Sequence, residues 1–257
     1  MIQICNDPNS LSEAAARLFV QQARHTVQAQ GRFTVALAGG HTPERTYQLL
    51  AKPPFQDQVP WTKVHVFWGD ERCVPPDDPR SNAHMARRAL LDGMPIPPEQ
   101  IHPILCYQNP QQAAEEYESL LQNFFAGRSP CFDLILLGLG ENGHTASIFP
   151  DTPAVEEQEH WVVAVYIAEQ AMWRVTLTPP LINQAAKVAF LVAGAVKAQV
   201  LQRVLDGPFE PHILPAQLIR PASGNLYWMI DKEASQRLVK SKNRTRISSR
   251  TSQGGVQ

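Results

Sequence analysis

The chain has 257 residues, 44% of them hydrophobic and 18% charged, an ordinary globular composition with enough apolar material for a full core. Its net charge is −1, but residues 240–257 hold Lys240, Lys242, Arg244, Arg246 and Arg250 with no acid, which leaves −6 on residues 1–239. That acidic body argues against nucleic acid or an anionic membrane as the main partner, and no run approaches the roughly 18–20 apolar residues of a membrane span.

The N-terminus has no basic segment followed by an apolar one, so no signal peptide is expected. Cys5, Cys73, Cys106 and Cys131 are far apart with no CxxC pair. Neither a zinc site nor a disulfide is expected from that spacing, and reduced thiols in the cytoplasm are.

In chain order, a first helix opens at Ser10, with Glu13 three residues on as a capping box, and Leu11, Ala14, Ala15, Leu18 and Phe19 follow at helical spacing. Residues 33–38 form a strand that stops at Gly39-Gly40. Pro43 opens a helix that runs to Leu50. Residues 64–68 are the next strand, and Ser81 caps a helix through Leu91. Residues 111–125 form a helix with Ala113, Ala114, Tyr117, Leu121 and Phe124 on one side. The nearly continuous apolar run 132–137 predicts a strand buried on both faces. Further strands are expected at 161–166, 173–178, 187–193 and 225–230, and helices at 195–205 and 231–239, the last capped by Asp231. No internal repeat is evident, and the prolines gather in loops such as 75–79 and 95–98.

This alternation predicts a three-layer, Rossmann-like α/β fold, a mainly parallel sheet with helices on both faces. No linker divides the middle, so residues 1–239 are expected to form one domain. Residues 240–257 lack apolar periodicity and read as a flexible basic tail.

Chemistry gathers where these strands end. After 33–38 come Gly39-Gly40-His41-Thr42-Pro43, and after 64–68 come Gly69-Asp70-Glu71-Arg72. After 132–137 come Gly138-Leu-Gly140-Glu-Asn142-Gly143-His144, and after 187–193 come Gly194-Ala-Val-Lys197. In a parallel sheet these loops share the carboxyl edge, where ligands bind. Gly39, Gly40, His41 and Thr42 at a helix start suit an anion or a tight turn equally. No Walker lysine follows, so this is not a nucleotide P-loop.

Gly138-x-Gly140-x-x-Gly143 matches a dinucleotide fingerprint, but Pro150 and Pro153 leave no room for the crossover helix. The next strand ends near Tyr166 without an acid, so no nicotinamide or flavin cofactor is expected. His144 titrates near neutrality and suits a general base. Asp70 and Arg72 either face the pocket or form a solvated ion-paired loop. Lys197 either meets an anion or snorkels into water. Arg174 opens an alternating run to Thr178.

Together these segments resemble the 6-phosphogluconolactonase family. The signposts are Gly39–Pro43, Trp68–Pro75 with Ser81-Asn82, Gly138–Pro150, Arg174–Thr178 and Gly194–Ala198. The resemblance covers most of residues 1–239. It implies a fold group shared with glucosamine-6-phosphate deaminase, ribose-5-phosphate isomerase and CoA transferases. It also implies hydrolysis of a sugar-phosphate lactone in the oxidative pentose phosphate pathway, with no metal or organic cofactor. By the same resemblance His144 activates water and Arg72 stabilises the developing charge or binds substrate oxygens. Asp70 orients the sugar or the His, and Gly40, His41, Thr42, Arg174 and Lys197 meet the 6-phosphate.

This chain departs from the family pattern at Asn142, where many relatives carry Asp, and at His41, where Ser is usual. The aminosugar-phosphate deaminase has a Glu five residues after the motif His; position 149 here is Phe. A sugar-phosphate sensor needs a helix-turn-helix module. Roughly 30 residues precede the run at 33–38, too few to hold one. Oligomeric state is not readable from the sequence.

Overall fold

A computed structural model describes residues 1–106, 109–127 and 131–239. The reading of 240–257 as a flexible tail falls outside the described residues.

Six parallel strands form the central sheet: β1 (Ile2–Cys5), β2 (Phe33–Leu37), β3 (Val64–Trp68), β5 (Leu134–Leu137), β8 (Val188–Val192) and β9 (Leu226–Asp231), in the order β1-β9-β8-β5-β2-β3. Every residue of β2, β5 and β8 is buried, as expected of central strands covered on both faces; the runs are apolar except for Thr34, whose hydroxyl donates to Asp133 Oδ2 at 2.7 Å. The flanking helices are α1 (Pro8–Gln30), α2 (His41–Leu50), α3 (Asn82–Ala89), α4 (Pro110–Phe125), α5 (Pro179–Ile182) and α6 (Ala198–Asp206). The expected α/β architecture, a mainly parallel sheet with helices on both faces, is therefore present.

The remaining strands form a second, antiparallel sheet: β4 (Asp70–Arg72), β6 (Val162–Ile167) and β7 (Met172–Leu177), in the order β4-β7-β6. Two sequence expectations are corrected here. Residues 161–166 and 173–178 are strands, but a turn of four residues joins them, too short for the crossover that parallel pairing needs. Asp70-Glu71-Arg72 is no free loop. It pairs with Arg174–Thr176, so Arg72 and Arg174 lie opposite each other.

Four local readings also shift. The first helix starts at Pro8, not Ser10: Asp7 is the N-cap, and its Oδ1 accepts from Ser10 N at 2.7 Å. The helix expected from Pro43 begins at His41, and Ser81 does cap α3. Strand β1 precedes the run at 33–38 and was not expected. Residues 232–239 form turns rather than a helix. Asp231 ends β9, and its carboxylate accepts from Ala234 N at 2.7 Å and from Gly194 N at 3.0 Å. That carboxylate holds the turn after β8 in place.

Cys73 and Cys106 are joined in a disulfide, with Cα atoms 4.6 Å apart. This overturns the expectation of four free thiols. The partners are 33 residues apart in sequence, and only the fold brings them together. Cys5 and Cys131 are free and buried, and burial raises both thiols above their usual range. No helix of the described residues is long and apolar enough to cross a membrane.

Thiol titration tests this arrangement. The protein denatured without reductant should show two reactive thiols, and four after reduction. Four thiols without reductant would contradict the Cys73–Cys106 link.

Candidate active site

The carboxyl edge of the parallel sheet opens into a cleft of about 450 Å³. Gly39, Gly40, His41 and Thr42 line it after β2. Asp70 and Arg72 enter from β4, Gly140 and His144 follow β5, Arg174 comes from β7, and Lys197 follows β8. The structure thus brings together nearly all the residues singled out from the sequence. Asn142 is not in the cleft wall, but it is bonded to a residue that is.

His144 is held from three sides. Asn142 Oδ1 lies 2.6 Å from His144 Nδ1 and 3.2 Å from the backbone nitrogen of His144. A backbone N–H can only donate, so the group facing it is the amide oxygen. The same oxygen then requires a proton on Nδ1, which leaves Nε2 as the basic nitrogen. Phe149 stacks on the ring with centroids 3.9 Å apart and planes 12° from parallel. Gly140 also lies against the ring, where a Cβ would sit 2.0 Å from Nδ1. Glycine is demanded here by close approach. Gly39 is similar: a Cβ there would lie 1.9 Å from Asn82 Oδ1.

Burial pushes the His144 imidazole down to about 4. Asp70 pulls it upward, while Arg174, Lys197 and Arg72 add to the depression. The ring is therefore neutral at physiological pH, with a free lone pair.

Asp70 is buried and organises the floor. Its Oδ2 accepts from Ser147 Oγ at 2.6 Å and lies 3.6 Å from Arg174 Nη1. Its Oδ1 accepts from Asn82 Nδ2 at 3.2 Å. Arg174 Nη1 also donates to Ser147 Oγ at 3.3 Å, and Nη2 donates to Gln170. Both terminal nitrogens of Arg174 are thus engaged within the protein and its Nε is buried without a partner, so no free guanidinium fork faces the cleft.

Arg72 is similar. Its Nη1 donates to Arg80 O at 2.6 Å, and its Nε is buried without a partner. Glu71 does not face the cleft wall. Its carboxylate accepts from the backbone nitrogens of Arg72, Asn82 and Ala83, all at 2.7 Å, and from Ser81 Oγ at 2.9 Å. It fixes the start of α3 behind Arg72, although burial raises its carboxyl above the ordinary range.

Lys197 is half-buried, and its Nζ lies 3.7 Å from Glu141 Oε1. Desolvation lowers its ammonium, and Glu141 opposes that shift. Tyr47 ties the end of β2 to α2: its hydroxyl donates to Ala38 O at 2.9 Å and accepts from Ala38 N at 3.0 Å. Helix α2 then starts beside the cleft with Gly40 as N-cap and no side-chain capping bond. Its first N–H groups remain available to an anion. The His41 ring is fully exposed, 3.7 Å from Glu44.

Sequence reasoning passed over Ser147, Gln170, Glu141 and the stacking role of Phe149. Ser147 and Phe149 stand inside the Gly138–Pro150 run, which was their one signal. Among the described residues, no group of three or more His, Cys, Asp and Glu is placed to hold a metal ion.

Residues 6–228 match the family model for glucosamine-6-phosphate isomerases/6-phosphogluconolactonase. The chain belongs to that family. A 6-phosphogluconolactonase of Synechocystis sp. is 43% identical over 232 residues, covering 89% of this chain and 94% of the relative. One of Nostoc sp. is 39% identical over 241 residues, covering 92% and 98%. The solved 6-phosphogluconolactonase of Trypanosoma brucei superposes with a TM-score of 0.82 at 31% identity, covering 93% of this chain and 98% of that one.

Gly140→Ala tests the packing around His144. The added methyl must displace the imidazole, so we expect kcat for the cleft's reaction to fall at least tenfold while the circular dichroism spectrum stays unchanged. Wild-type turnover in a folded Gly140→Ala protein would show that the ring position does not matter.

Proposed function

We propose that this protein hydrolyses 6-phospho-D-glucono-1,5-lactone to 6-phospho-D-gluconate, the lactonase step of the oxidative pentose phosphate pathway. The observation that carries the reading is a neutral His144 of defined tautomer in a cleft walled by Arg72, Arg174 and Lys197. The named relatives support it.

In this reading His144 Nε2 takes a proton from water as the water attacks the lactone carbonyl. Negative charge develops on the former carbonyl oxygen, and Arg72 stabilises it. Asn142 holds the ring, and Asp70 orients the site through Ser147, Asn82 and Arg174. The imidazolium then returns its proton to the ring oxygen as the C1–O bond breaks. The reaction needs only water, and the residues named supply its acid and base; no cofactor enters this scheme.

The 6-phosphate dianion binds at the N–H groups of Gly39, Gly40, His41 and Thr42, with Lys197 turning from Glu141 to meet it. Arg174 adds charge from beneath. Ring-opening deamination is disfavoured because Phe149 occupies the position a carboxylate would need, flat against His144. We place the activity in one α/β domain spanning residues 1–239. We place the protein in the cytoplasm, because a charged sugar phosphate does not cross a membrane unaided.

The test generates the lactone in place with glucose-6-phosphate dehydrogenase, at mildly acidic pH and low temperature to slow the background. Wild type should exceed the uncatalysed rate by orders of magnitude. His144→Ala should lose that advantage, and Lys197→Ala should raise KM about tenfold or more with a smaller effect on kcat. A wild-type rate equal to background, in protein that still binds 6-phosphogluconate, would instead make this a sensor.

A further inference from the structure

A second cavity, of about 340 Å³, lies between α2 and α3. It meets the main cleft at Gly40, His41, Arg72 and Asn82, which line both. Nothing in the lactonase scheme uses its outer half.

That half carries three basic side chains, Arg80, His84 and Arg88, beside Glu44, Gln48 and Met85. His84 and Arg88 stand one helical turn apart on α3 and line the cavity together. Arg80 lines it too, but Asp78 holds that guanidinium by two bonds, at 2.9 and 2.7 Å. Arg80 therefore shapes the wall, and its charge is largely neutralised. Arg88 differs. It has no carboxylate partner among the described residues, whereas its neighbour Arg87 lies 3.9 Å from Asp92. Arg72 closes the inner end, where its buried Nε has no acceptor. Glu44 is the one acid in the lining, and its carboxylate lies 3.7 Å from the His41 ring. The cavity thus holds two guanidinium groups without a carboxylate bonded to them, one at each end, with the His84 imidazole also in its wall.

A buried N–H with no acceptor and a guanidinium with no counter-ion are both satisfied by the same chemistry, a small oxyanion. We propose that this cavity is a second anion subsite, which takes a phosphate-class dianion while the main cleft holds the substrate. Arg72 stands in both walls, so an anion bound here draws that guanidinium away from the reacting carbonyl. Occupancy should therefore lower turnover rather than merely block entry.

Orthophosphate is the probe, read in two ways. In lactone hydrolysis, wild type should show mixed inhibition, with phosphate lowering kcat as well as kcat/KM. Arg88→Gln should weaken the effect on kcat about tenfold while leaving kcat and KM in phosphate-free buffer unchanged, and His84→Gln should weaken it less. In calorimetry on wild type saturated with 6-phosphogluconate, phosphate should still bind, and Arg88→Gln should lose that event. The calorimetric arm needs no turnover, so it stands or falls separately from the lactonase reading. Purely competitive inhibition with one constant in wild type and Arg88→Gln would overturn the proposal. So would a raised substrate KM in Arg88→Gln, which would make the cavity part of the substrate's own phosphate site.

Discussion

The Asp70 carboxylate is the interaction on which the rest of the site depends. It is almost wholly removed from water, and it joins four parts of the chain. Asp70 itself lies on β4, Ser147 belongs to the His144 loop, Arg174 to β7 and Asn82 to α3. A charge in that position is tolerable only with partners on several sides. Removing one member of such a buried pair costs about 3–5 kcal/mol, because the other charge is left uncompensated. The small antiparallel sheet is therefore no appendage. It carries Asp70, Arg72 and Arg174 over the carboxyl edge of the parallel sheet, and the Asp70–Ser147 bond locks the His144 loop to it.

Division of labour follows from that lock. Asp70 orders the cations and raises the affinity of the ring for a proton, while Asn142 sets the tautomer without adding charge. Burial and three nearby cations win over Asp70, so His144 stays neutral. Such a ring is always ready as a base but is a modest one, since a low pKa accompanies weak basicity. An activated lactone needs little more. Two of the cations that depress the ring, Arg174 and Lys197, are the ones we propose for the substrate's phosphate, so in that reading binding and base strength trade against each other within one cleft.

Much of this was legible in the sequence, for definite reasons. The residues 33–37, 134–137 and 188–192 are buried on both faces, so they read as apolar runs broken only by Thr34, and their glycine-bearing ends mark the ligand edge. His144 and Lys197 follow two of those ends, and Arg72 follows the end of Val64–Trp68. The antiparallel placement of 162–167 and 172–177 was hidden because strand periodicity says nothing of direction. Ile2–Cys5 is too short to announce itself. Asp231 caps one turn as readily as a helix, so a cap signal alone misled at 232–239. The Cys73–Cys106 link joins segments that only the fold makes neighbours. Ser147 and Gln170 act through contacts 77 and 4 residues distant in sequence, and neither carries a charge to draw notice.

The pH dependence of lactone hydrolysis in Asn142→Asp beside wild type tests the central claim, that a neutral His144 held by an uncharged partner is the base. The substrate phosphate ionises equally in both proteins, so their difference isolates the ring. A carboxylate beside Nδ1 favours the charged imidazolium and raises its pKa. The acidic limb of kcat/KM should then lie near 4 in wild type and move upward in Asn142→Asp, with the plateau rate near neutrality little changed. Superimposable profiles, or a wild-type limb at or above the ordinary histidine value of about 6.5, would contradict the account.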